Sequence, residues 1–81
     1  MSKNTACFSV SALTGAHDAR RIKREIDRTC DGVLAVSLAH GRNTVTIDFN
    51  DTGVTPQKLR DCLTHMGMDV TGARIRYHSM Q

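Results

Sequence analysis

What this 81-residue chain lacks narrows its function more than what it contains. No unbroken apolar run approaches 18 residues, so the sequence gives no support to a membrane-spanning helix. The N-terminal stretch MSKNTACFSV carries one lysine but no apolar segment of the kind a secretory signal needs, and a cytoplasmic location is the expectation. Proline occurs once, and neither repeats nor low-complexity segments appear. With 40% hydrophobic and 23% charged residues, this is the composition of an ordinary folded domain and not of a disordered tail. Three cysteines, Cys7, Cys30 and Cys62, are an odd number at separations of 23 and 32 positions, which matches neither a disulfide framework nor a zinc-binding pair. Reduced thiols are expected. A chain of this length buries only about 60–65% of its unfolded surface, enough for one core and not two. The expectation is a single domain over residues 5–77, with flexible termini at 1–4 and 78–81.

Strand and helix periods alternate along the chain. Phe8 and Val10 alternate with Cys7, Ser9 and Ser11, which reads as a strand over about 5–12. From Ala16 to Thr29, Ala19, Ile22 and Ile26, continued by Cys30, recur every three to four positions among charged residues and form the apolar stripe of an amphipathic helix. Thr14 is its expected N-cap, Asp18 lies in its expected first turn, and Asp31-Gly32 marks its end. Val33–Ala39 and Asn43–Phe49 read as two strands joined by a hairpin at His40-Gly41-Arg42. Thr55 and Pro56 form an N-cap and N1 pair for a second helix, whose stripe is Leu59, Cys62, Leu63 and Met66 and which stops at Gly67. Residues 68–77 form a last strand in which Ile75 and Tyr77 are in phase and Val70 is not, so a bulge is expected near Thr71-Gly72. The order β-α-β-β-α-β predicts an α+β, ferredoxin-like fold: a four-stranded antiparallel sheet, order 4-1-3-2, with two helices on one face. Phe8, Val10, Ile22, Ile26, Val36, Leu38, Val45, Ile47, Phe49, Leu59, Leu63 and Ile75 are the core expected between them.

Between about Thr5 and Tyr77 the chain resembles the heavy-metal-associated domain family of copper chaperones, mercury-binding proteins and the N-terminal domains of metal-transporting ATPases. The segments Gly32-Val33-x-x-Val36-x-Leu38 and Val45-x-Ile47-x-Phe49 match that family's second and third strands. Met66-Gly67-Met68-Asp69-Val70 stands where the family commonly has Ala-Gly-Tyr-x-Val. The family's metal loop, Gly-Met-Thr-Cys-x-x-Cys, aligns with Ala12-Leu13-Thr14-Gly15-Ala16-His17-Asp18, so Gly15 and Asp18 occupy the two cysteine positions. Two thiolates three positions apart at a helix start suit soft monovalent copper; glycine offers no ligand and aspartate a hard oxygen. Thiolate copper transfer at this loop is therefore not expected. The other cysteines are expected not to replace it, with Cys62 read as core.

Four readings of function follow, three for one corner and the helix beside it. His17, Asp18, His65 and Met68, with Met66 nearby, could hold copper, nickel or zinc weakly through non-thiolate donors, although a packed Met68 and surface histidines are the simpler reading. Gly15, Ala16 and His17 at a helix start could hold a small anion such as phosphate. Arg20, Arg21, Lys23, Arg24 and Arg28 crowd the polar face of helix 1 against Glu25 and Asp27. The resemblance implies that such a face docks an acidic domain, a metal-transporting ATPase or a relative of one; the plainer reading is a solvated face laced by Arg21–Glu25 and Lys23–Asp27 pairs. Nucleic acid is the rival partner, given a pI near 9.1. Phe8 and Phe49 share the phase of the core, however, and the open face is left with Cys7, Ser9, Ser11, Thr44, Thr46 and Asp48 and no stacking platform, with Arg74 and Arg76 as the phosphate contacts. No nucleophile with an orienting partner is visible, so an enzyme is not expected.

Overall fold

In the computed structural model, residues 3–11, 18–50 and 53–78 are described. The elements are β1 (Lys3–Val10), α1 (Ala19–Thr29), β2 (Val33–Ala39), a 3-10 turn (His40–Arg42), β3 (Thr44–Asn50), α2 (Pro56–His65) and β4 (Val70–His78). The sheet order is β2-β3-β1-β4, every neighbouring pair antiparallel, which is the expected 4-1-3-2 arrangement. The strands extend past the expected domain boundaries at both ends. Lys3 and Asn4 belong to β1, paired with Asn50 and Phe49 on one side and with His78 and Tyr77 on the other, so the sheet takes in residues placed in flexible termini.

The helices are set by their caps and stripes. Thr55 Oγ1 accepts from the Lys58 amide at 3.3 Å and Pro56 opens α2, as its sequence predicts. At the other end Gly67 has φ +91, a conformation that favours glycine, and lets the Met68 and Gly67 amides reach back to the Leu63 and Thr64 carbonyls at 3.1 and 3.0 Å. α1 starts later than expected. Its N-cap is Asp18, whose Oδ1 accepts from the Arg20 amide at 3.0 Å; Thr14, the expected cap, lies outside the described residues. The first turn is therefore Ala19-Arg20-Arg21, with no acid in it. The expected bulge is present: pairing steps from Ser9↔Gly72 to Val10↔Val70, leaving Thr71 as the extra residue.

The core lies between the sheet and the helices. Phe8, Val10, Ile22, Ile26, Val45, Ile47, Phe49, Leu59 and Leu63 are buried as predicted, joined by Ala6, Cys30, Val33, Val54, Met68 and Val70. Val36, Leu38 and Ile75, expected in that core, are only partly buried against it. At the end of the sheet away from the 3-10 turn, the loops after α1 and β3 touch. A Cβ on Gly53 would meet the Asp31 carbonyl oxygen at 2.5 Å, so this approach requires glycine.

Candidate docking face and the two ends of α1

Ile22 and Ile26 turn α1's apolar stripe into the core and leave its remaining surface to solvent. Arg20, Arg21, Arg24 and Arg28 are exposed and Lys23 is half-buried. Lys23 pairs with Asp27 at 2.8 Å, as expected, but Glu25 meets Arg28 at 3.6 Å and not Arg21. Among the described residues Arg20, Arg21 and Arg24 have no ion pair. They converge on shallow concavities, one lined by Arg20, Lys23, Arg24, Asp27 and Arg28 and another by Asp18, Arg21 and Glu25 with Arg20, Arg24 and Arg28.

The charge is concentrated on this face. α1 carries five cations against two anions, a net +3 that equals the formal charge of the whole chain, so the rest of the chain balances to zero. Arg20 and Arg21 also sit in the first turn, at the positive end of the helix dipole, where a cation costs about 0.3–1 kcal/mol instead of stabilising. Helix stability does not account for their position.

At that same end a pocket of about 440 Å³ is lined by Asp18, Arg21, Ile22, Glu25, His65, Met66 and Met68. It brings together three of the four residues considered for weak metal binding. The fourth, His17, lies outside the described residues, as do the anion candidates Gly15 and Ala16. Asp18 spends one carboxylate oxygen on the Arg20 amide, the pocket wall includes the Arg21 side chain, and Met68 is only 2% exposed within the core. Among the described residues no three His, Cys, Asp or Glu side chains converge on one point.

The other end of α1 holds a cluster that the sequence reading missed. Cys30 is the C-cap, its amide donating to the Ile26 carbonyl at 2.8 Å, and its sulfur lies 3.6 Å from that of Cys62 on α2. Thr29 Oγ1 is 3.3 Å from Cys62 Sγ and 3.8 Å from Cys30 Sγ. Burial pushes the Cys30 thiol up from its ordinary value; the hydrogen bond to Cys62 adds to the rise, and Thr29 opposes it. Cys62 is half-buried and opens into a cavity between the helices, which qualifies its reading as plain core. The signal was available, since Cys30 continues one inward stripe and Cys62 lies on the other. What was missing was how the helices are set against each other.

The open sheet face is polar. Thr5 Oγ1 donates to Asp48 Oδ1 at 2.8 Å, and Cys7 pairs across the strands with Thr46 and Arg74. Cys7, Ser9, Ala73, Arg74 and Arg76 line a concavity there. Phe8 and Phe49 are buried on the opposite side. No helix among the described residues is long and apolar enough to cross a membrane.

Solved structures share this architecture. CopZ metallochaperone superposes with a TM-score of 0.70 at 18% identity, over 83% of this chain and 98% of its own. Oxidised MerP from Ralstonia metallidurans CH34 gives 0.68 at 22%, over 86% and 99%. A copper-binding domain from a P-type ATPase gives 0.65 at 20%, over 94% and 95%. At these identities the likeness establishes that the chain has the fold of heavy-metal-associated domains. No protein-family model and no curated protein sequence matches the chain.

Proposed function

We propose that this protein is a binding or regulatory module in metal-ion handling, not an enzyme, and that it docks an acidic partner domain through the basic face of α1. The observation that carries the reading is the placement of Arg20 and Arg21: unpaired among the described residues, in the first helical turn, on the element that holds the chain's whole net charge. A solvated face selected for stability favours acids in that turn. Electrostatic docking favours a concentrated field, which raises the encounter rate and sets orientation without needing a metal between the partners. The metal-handling context comes from the neighbours in fold, a metallochaperone and a copper-binding ATPase domain. With glycine and aspartate where their likeness implies thiolates, metal binding at the loop is lost or weak, and the partner is an acidic domain such as that of a metal-transporting ATPase.

The test is affinity capture from the source cell with wild type and the Arg21→Glu/Arg24→Glu variant in parallel. The docking reading expects one acidic protein recovered by the wild type alone. Equal recovery by both makes the helix a solvated face. Capture of nucleic acid that is lost on changing Arg74 and Arg76 favours the phosphate-binding alternative.

A further inference from the structure

Cys30 and Cys62 are 32 positions apart in the chain and 3.6 Å apart at sulfur. Cys30 is buried at the end of α1, whereas Cys62 opens into a cavity of about 320 Å³ lined also by Glu25, Thr29, Asp61, His65 and Met66. We propose that Cys30 and Cys62 are a two-thiolate site for one thiophilic metal ion, beside a cavity that shares Glu25, His65 and Met66 with the Asp18 pocket.

The distance suits a shared ion. Two sulfurs each about 2.3 Å from one ion at a tetrahedral angle lie about 3.8 Å apart. The observed 3.6 Å needs to open by only about 0.2 Å to reach that spacing. The sulfur pair sets the class of ion. The cavity that Cys62 lines also carries the carboxylates of Glu25 and Asp61 beside Met66, His65 and Thr29, but the two donors in contact with each other are thiols, which suit a soft or borderline cation. Binding balances as one cation plus two thiols giving one dithiolate complex and two protons. The protons leave to solvent through the open side at Cys62, and each sulfur keeps its electron pair for the ion. Cys7 takes no part, being on the open face of the sheet beside Thr46. The site is independent of the docking face, so either proposal can fail alone.

The experiment uses the whole reduced chain under anaerobic conditions, with Cd²⁺ as the probe. The expected result is one Cd²⁺ per chain, an ultraviolet thiolate-to-metal charge-transfer band, and protection of Cys30 and Cys62 from alkylation while Cys7 is still labelled. Cys62→Ser, at a half-buried position, should lose the band with its far-ultraviolet circular dichroism unchanged, and Cys7→Ser should keep it. Absence of the band, its survival in Cys62→Ser, or equal labelling of all three thiols with Cd²⁺ present would overturn the proposal. So would ready conversion of the pair to a disulfide by oxidised glutathione in a protein that takes up no Cd²⁺ when reduced, because the pair would then be a redox site.

Discussion

The two helices bury similar stripes and differ in what they do with the rest of their surface. α2 follows the capping rules that stabilise helices, although its first turn, which includes Lys58, also contains no acid. It has a threonine cap, proline at its first position, a glycine stop and, over Pro56–His65, two cations against one anion. α1 is capped too, by Asp18, and differs in its charge, with both Arg20 and Arg21 in the first turn and five cations against two anions along its length. Both helices face the same sheet, so packing does not explain the contrast. A surface that gives up helix stability to concentrate charge is better explained by what it meets than by what it holds up.

The largest expected effects erase the contrast. Ile22 is 3% exposed and Leu63 is fully buried, so Ile22→Ala and Leu63→Ala should each destabilise the fold by about 2–5 kcal/mol in denaturant unfolding. A near-neutral value at both positions would contradict the helix assignments. The caps come next. Thr55→Ala removes the acceptor for the Lys58 amide and Asp18→Ala the acceptor for the Arg20 amide, each at a cost of about 1 kcal/mol. Equal losses would show that α1 depends on its cap as α2 does, despite the arginines that follow it. The smallest effect is the sharpest. Arg20→Glu puts an anion at the positive end of α1 and should raise stability by about 0.3–1 kcal/mol at low salt, the gain shrinking as salt is added. A loss of stability there would mean that the arginine has a structural role after all.

The fold was legible because period, punctuation and cap residues agreed. Strand alternation in β1 and β3, the Thr55-Pro56 start and the Gly67 stop each demanded one local structure, and the out-of-phase Val70 foretold the bulge at Thr71. The start of α1 was less legible, since Thr14 and Asp18 are both good caps four positions apart and the sequence does not say which one the chain uses. Glu25 posed a similar choice between Arg21 at four residues and Arg28 at three; local spacing permits both, and rotamers decide. Of the candidate site, the basic face was legible residue by residue, as helical spacing alone places its members together. The Cys30–Cys62 contact was not. It depends on the relative position of two helices, which side-chain packing fixes and periodicity does not encode.

The central claim is that the charge on α1 serves association, and the direct measurement is the association rate with the acidic protein recovered by capture, followed across ionic strength alongside thermal unfolding. For Arg21→Glu/Arg24→Glu the account predicts a slower on-rate, a flattened salt dependence and a dissociation rate that changes little, with an unfolding midpoint equal to or above that of the wild type. The same on-rate and salt dependence in wild type and variant would contradict it.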